Sequence, residues 1–332
     1  MAVLESKWPT LVDVAKATDP DGSIADVAEI LNETNEILDD MVVLEGNLAT
    51  GHKTTVRSGL PTPTWRALYG GVQPSKSRRV PVTESAGMLE AYAEVDVALA
   101  DMNGNTNAFR LSEDTAFIEG MSQEMATSMF TANDLVNPER FTGFNPRYND
   151  KSAENADNII DAGGTGNDNG SIWLVGWGPN TCHGIYPKGS KAGLMMDDKG
   201  QVTIENVDGS GGRMEAYRTH YRWDIGLCLR DWRYVVRIAN IDRSLLTKDA
   251  STGANLPDLM FEATERIPNL RGANFAFYMD RKIRTKVRQQ VANGVSNSTL
   301  TMENVGGVRS MYFDEIAMKR TDALQVDEAR VV

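Results

Sequence analysis

Cysteine and histidine are scarce in this chain, with two and three copies in 332 residues. The two thiols, Cys182 and Cys228, cannot frame a disulfide scaffold and fit a reducing compartment. Long apolar runs are also missing. No stretch approaches the roughly 18 apolar residues of a membrane span, and the first ten residues, which include Glu5, Lys7 and Pro9, lack the apolar stretch of a signal peptide. The product is therefore expected to stay in the cytosol of the cell that makes it, where the sequons at Asn32 and Asn297 carry no meaning. Positive charge is in deficit: a net charge of −12 and a pI near 4.9 argue against a general nucleic-acid binder, which needs a basic face to neutralise phosphates. What is present is an ordinary globular composition, 41% hydrophobic and 24% charged, enough for a substantial core divided into two subdomains.

The charge is unevenly spread. Residues 46–83 contain Lys53, Arg57, Arg66, Lys76, Arg78 and Arg79 and no acid, so this stretch carries +6 against a whole-chain −12, leaving −18 for the rest. Before it, acids far outnumber Lys7 and Lys16. Pro61, Pro63, Pro74 and Pro81 with five glycines forbid a long helix there, and Thr54-Thr55-Val56 and Val80-Pro81-Val82 suit an irregular hairpin. Long segments with little core of their own are usually functional or disordered, so this one is expected to reach outside its own core.

Periodicity sketches the remainder. Ile24, Val27, Ala28, Leu31, Leu38 and Met41 predict a helix that Ser23 and Asp26 begin. Met88, Tyr92, Val95, Leu99 and Met102 predict a second. After the Asn103-Gly104-Asn105 break, Ile118, Met121, Met125 and Met129 predict a third, starting near Ser112. Residues 133–169 are polar and turn-rich, the expected subdomain boundary. Beyond them strands are predicted at 172–177, over Trp223 to Leu229, over Tyr234 to Ile238, at 275–279 and once or twice within 311–332. Helices carrying Leu256, Met260 and Ala263 and then Ile283, Val287 and Val291 complete an α+β pattern without a repeat.

Catalytic constellations do not emerge. Cys182, His183, His220 and Cys228 invite a zinc reading, but adjacent strand residues face opposite ways and no ligand spacing of a zinc motif occurs, so no metal residue is assigned. The glycine-rich run from Asp161 to Gly170 lacks the third glycine of a dinucleotide fingerprint, Asn169 standing in its place, and reads as a turn. No Gly-x-Ser-x-Gly elbow is present, and Asp19-Pro20-Asp21-Gly22 lacks the spacing of a calcium hand. Arg281, Lys282, Arg284, Lys286 and Arg288 read as a solvated helix face. Trp223, Trp232 and Tyr234 among Arg222, Arg230, Arg233 and Arg237 read as strand packing rather than a nucleic-acid platform. Neither a catalytic residue nor a cofactor is expected.

Four strings are more specific: Gly59-Leu60-Pro61-Thr62-Pro63-Thr64-Trp65-Arg66 with Gly71 to Ser77; Arg140-Phe141-Thr142-Gly143-Phe144 with Pro146-Arg147-Tyr148; Asn180 to Gly189; and Trp232 to Asn240. With these the chain resembles, from about Leu4 to Val332, the major capsid proteins of short-tailed bacteriophages. The resemblance implies a Hong Kong 97-like capsid fold with an N-terminal arm (1–45), an extended loop (46–84), a peripheral domain with a long spine helix (85–170) and an axial domain with returning peripheral strands (171–332). It implies a structural protein that self-assembles as pentamers and hexamers into an icosahedral virion shell enclosing double-stranded DNA, built in the bacterial cytoplasm and filled through a portal. Scaffolding and cement or decoration proteins are further partners of such shells, and no membrane is involved. A tail tube or decoration protein, and an enzyme with a dispersed acidic site, are the competing readings. Lys53, Arg57, Trp65, Arg66, Lys76, Arg78 and Arg79 are the expected subunit-interface residues.

Overall fold

The computed structural model of the chain describes residues 35–102, 106–205, 211–293, 300–305 and 308–332. The helix expected over 23–41 and the arm to which it belongs lie largely outside them; what is described is a single turn, α1 (Ile37–Asp40). Strands β1 (Val43–Glu45), β2 (Gly51–Gly59), β3 (Arg78–Ser85) and β4 (Gly87–Asp96) follow, then α2 (Val97–Asp101) and α3 (Thr106–Thr131). Strands β5 (Ile159–Asp161), β6 (Asn169–Trp177), β7 (Cys182–Tyr186), β8 (Leu194–Glu205), β9 (Arg213–Leu229) and β10 (Val235–Asp242) precede α4 (Leu256–Glu265). The chain closes with β11 (Asn274–Met279), α5 (Arg281–Asn293), β12 (Leu300–Val305), β13 (Val308–Phe313) and β14 (Ile316–Arg320). No described helix is long and apolar enough to cross a membrane.

The chain divides into two compact units that interleave along the sequence. The larger comprises, among described residues, 35–87, 126–192, 225–293, 300–305 and 308–332. Its centre is β6, all nine of whose residues are buried, paired antiparallel with β10 and β11. A strand covered on both faces needs no polar alternation, which is why this one reads as a continuous apolar run. Its two faces serve different cores. Ile172 and Leu174 join Val236, Ile238, Phe277 and the apolar stripes of α4 and α5, where Met260, Ala263, Ile283 and Val287 are buried. Trp173 and Trp177 instead meet the rings of Phe130, Phe144 and Tyr148 at centroid separations of 5.6 to 6.2 Å. Gln290 of α5 ties the helices together, its Oε1 accepting from the Leu256 backbone N–H at 2.9 Å.

The carboxyl-terminal segment is bound into this core by polar groups. Arg237, fully buried over the Trp173 ring, pairs with Glu328 at 2.8 Å. Asn240 adopts a left-handed φ of 59° where β10 shifts register against β6, and its side chain meets both backbone groups of Val331 at 2.8 to 2.9 Å. Strands β13 and β14 are joined by Asp314 and Glu315, both left-handed, the two-residue turn whose twist suits a hairpin.

The smaller unit comprises, among described residues, 88–102, 106–125, 193–205 and 211–224. Here an expectation fails: residues 88–96 form a strand, not the start of a helix, and only α2 is helical. The helical spacing of Met88, Tyr92 and Val95 coexists with a strict alternation, Leu89, Ala91, Ala93 and Val95 against Met88, Glu90, Tyr92 and Glu94, and pairing with β9 selects the alternation. The polar face of β4 meets a matching row on β9. Arg218 bonds Glu94 at 2.7 Å and lies over Tyr92, His220 stacks on Tyr92 at 4.5 Å and reaches Glu90 at 3.1 Å, and Arg222 lies 3.6 Å from Glu90. The apolar side is thin: Val95, Leu99, Ala100 and Phe109 in one cluster, Ala93, Met121 and Tyr221 in another. Helix α3 has 26 residues, about 39 Å at 1.5 Å per residue, and begins at Thr106 rather than near Ser112. Its predicted stripe is buried at Met121, Met125 and Met129, while Ile118 is exposed.

Candidate subunit interface

Two short runs singled out by β-branched residues pair with each other. In the antiparallel β2–β3 hairpin Thr54 faces Val82, Thr55 faces Pro81 and Val56 faces Val80. Beyond Gly59 the chain makes an extended excursion to Ser77, crossed by a hydrogen bond from Ser75 Oγ to the Thr62 carbonyl at 3.0 Å. At its far end the Gly70 N–H bonds the Ala67 carbonyl at 3.0 Å, closing a turn in which Tyr69 takes a φ of 65°. That left-handed conformation favours glycine and is strained for a ring-bearing residue.

All seven expected interface residues are exposed in this hairpin. Arg57 and Arg79 stand directly opposite each other in register. Like charges in that relation oppose pairing, and an acidic surface laid against them would relieve it. The apolar content differs from what the sequence suggested. Leu60, Trp65, Leu68, Tyr69 and Val72 are all exposed, with Trp65 and Tyr69 essentially fully so, so a segment expected to have little core of its own carries several large apolar side chains in solvent. Full burial of one such side chain stabilises by about 1.5–3 kcal/mol, against about 0–1 kcal/mol for an exposed ion pair. In any contact made through this tip, apolar burial would therefore outweigh the ion pairs, and charge would act mainly on approach.

The hairpin root is fixed by groups that sequence reasoning missed. Glu84, buried at the end of β3, accepts two hydrogen bonds from Arg147, Nη1 to Oε1 at 2.7 Å and Nη2 to Oε2 at 2.6 Å. Arg147 also donates to the carbonyls of Gly143 at 3.1 Å and Thr142 at 3.0 Å. Burial would lower the pKa of this guanidinium, but the Glu84 carboxylate more than offsets it and holds the value above its ordinary one. Asn47 braces β2 by accepting from the Lys53 N–H and donating to the Lys53 carbonyl, both at 2.7 Å. A side chain at Gly51 would collide with the Glu84 carbonyl oxygen. The available signals were two: Glu84 is the first acid after the acid-free stretch, and Arg147 lies inside Pro146-Arg147-Tyr148.

Other candidates disperse. The glycine-rich run follows strand β5 but leads into strand β6, not a helix, and a Cβ at Gly164 would collide with the Asn240 carbonyl oxygen, so it packs as a tight turn. Helix α5 buries Ile283 and Val287 while Arg281 pairs with Asp322, the solvated-face arrangement. Tyr234 stacks on Phe275 and Arg237 is buried, so these leave no open aromatic platform. His183 and Cys228 do come together, with His52 rather than with Cys182 or His220.

The family described as "Major capsid protein GP7" matches residues 19–332. No curated protein matches. Among solved structures, that of bacteriophage Epsilon15 is 34% identical, covers 100% of this chain and 99% of its own, and superposes with a TM-score of 0.79. The capsid of bacteriophage JBD30 is 10% identical with a TM-score of 0.45, covering 97% of this chain and 96% of that one.

Proposed function

Since this chain belongs to the GP7 family of major capsid proteins, we propose that its β2–β3 hairpin is the arm by which each copy holds the next. The protein is a structural, non-enzymatic component of the virion, has the Hong Kong 97-like capsid fold, and assembles into the icosahedral head of a phage. Within that shell the hairpin lies across an acidic surface of a neighbouring copy, with its apolar tip buried there. The observation carrying this reading is the conjunction of a buried Glu84–Arg147 root with a tip whose basic and apolar side chains are all exposed. Lys53, Arg57, Arg66, Lys76, Arg78 and Arg79 steer the approach; Trp65 and its apolar neighbours hold it.

The remaining parts of the assembly follow from charge. With +6 in the hairpin segment, the rest of the chain carries −18. An acidic inner surface would let packaged double-stranded DNA slide, where a basic one would trap it by releasing counterions. The acidic segment 1–45 acts as an arm of the same lattice, and a portal, scaffolding and cement proteins are the partners such a shell takes. Permanent interfaces bury about 2,000 Å² or more, which outweighs modest repulsion between acidic bodies across water.

Reversing Arg57, Arg66, Arg78 and Arg79 together to glutamate tests the proposal. Circular dichroism is expected to match the parent, because none of these side chains is in the core, and electron microscopy is expected to show no shells. Normal shells from the reversed protein would overturn it.

A further inference from the structure

At the root of the same hairpin, three metal-ligating side chains from three strands meet without any assigned role. His183 and Cys228 are direct cross-strand partners in the antiparallel β7–β9 pair, so their side chains leave the sheet on one face. His52 of β2 arrives from the hairpin, its ring edge-on to that of His183 with centroids 6.0 Å apart. A nitrogen of each imidazole and the Cys228 Sγ all lie within 4.8 Å of one another. The neighbouring Cys182, on the opposite face of β7, is not part of the group.

An unsatisfied atom points to a ligand. His183 is about 1% exposed, and its Nδ1 has no hydrogen-bond partner, while the ring donates a hydrogen bond to the Gly178 backbone carbonyl. Metal-bound imidazoles commonly have their second nitrogen anchored to a carbonyl in this way. Among the described residues the His52 ring takes one hydrogen bond, a long one from the Asn47 N–H to its Nδ1 at 3.3 Å, which ligation can displace. The nearby charges are already engaged: Glu84 with Arg147, and Arg230 with the Pro179 carbonyl at 3.0 Å and Asn180 Oδ1 at 3.3 Å.

We propose that His52, His183 and Cys228 form a binding site for a thiophilic divalent cation of the zinc class, which clamps the root of the hairpin to β7 and β9. Two imidazoles and one thiolate suit such an ion, with a water completing a tetrahedron. Ligands of a tetrahedral zinc stand about 3.3–3.8 Å apart, so binding needs the three atoms to move in by no more than about 1–1.5 Å. The sulfur ligates as the thiolate, so the cation displaces the Cys228 thiol proton to solvent as the sulfur–metal bond forms.

The test uses the full-length chain, stripped with a chelator and titrated with Co²⁺, whose thiolate charge-transfer absorption reports sulfur ligation directly. One cobalt per chain with that absorption is expected, displaceable by Zn²⁺. Cys228→Ser is expected to abolish the absorption, and His52→Gln and His183→Gln to weaken binding at least tenfold. Cys182→Ser and His220→Gln are expected to leave both unchanged. His52, half-buried, is the variant least dependent on core packing, and its circular dichroism spectrum is compared with the parent's. Absence of the absorption in the parent chain, its survival in Cys228→Ser, or unaltered affinity in a folded His52→Gln would each overturn the proposal.

Discussion

Strand β6 and the β2–β3 hairpin are made of the same extended backbone and the same ladder of hydrogen bonds, yet one has every residue buried and the other has its distal half in solvent. Backbone pairing alone leaves an isolated two-stranded hairpin marginal in water. The core strand gains its stability from two packed faces. The hairpin is held within the subunit at its root, where the Glu84–Arg147 pair and the Asn47 brace lie. The contrast supports the proposal that exposed apolar residues on a well-formed, rooted element are surface kept for a second molecule. An exposed contiguous apolar patch marks an interaction site in just this sense.

Substitutions should separate the two regions. The largest loss is expected for Trp173→Ala, which removes a fully buried ring from among Phe144, Tyr148 and Arg237 and should cost the subunit about 3–5 kcal/mol in denaturant unfolding. Next is Glu84→Ala, which leaves Arg147 buried and unpaired; a loss of about 3 kcal/mol is expected, with faster proteolysis within 51–85 as the local sign. Asp242→Asn should cost about 1 kcal/mol, since Asp242 Oδ1 accepts from Ser244 and Leu245 at the end of β10. Those bonds, from Ser244 foremost, hold the Asp242 carboxyl below its ordinary 3.8, so the folded chain binds fewer protons there than the unfolded one. The contribution is complete above that ordinary value and is lost as pH falls through the depressed one, and the asparagine variant should lack this part of the acid transition. Trp65→Ala should change subunit stability by less than about 0.5 kcal/mol, because the ring touches no core, while lowering the yield of shells seen by electron microscopy.

The sequence made these regions legible to different degrees. Buried strands announced themselves by composition: Ile172 to Trp177 and Phe275 to Met279 are continuous apolar runs, and both are central. The hairpin was legible from its prolines, glycines and unbroken positive charge, and the pairing of Thr54-Thr55-Val56 with Val80-Pro81-Val82 follows the two β-branched runs. Residues 88–96 were misread because a helical stripe and a strand alternation share Val95 and Tyr92, and only pairing with β9 distinguishes them. Strand β8 passed unnoticed because, along Leu194 to Glu205, it is mostly exposed and polar. The Glu84–Arg147 root and the meeting of His52 with His183 and Cys228 join positions far apart in sequence, and no local spacing encodes them.

Hydrogen exchange measured on the unassembled subunit and on the finished shell tests the central contrast most directly. Amides of β6 should be equally protected in both states, because their neighbours are all within the chain. Those of residues 51–85, and above all of the excursion from Leu60 to Ser77, should exchange rapidly in the subunit and slow by at least tenfold in the shell. Equal exchange of the hairpin in the two states would contradict the account, since an arm held by a neighbouring copy cannot remain as open to water as a free one.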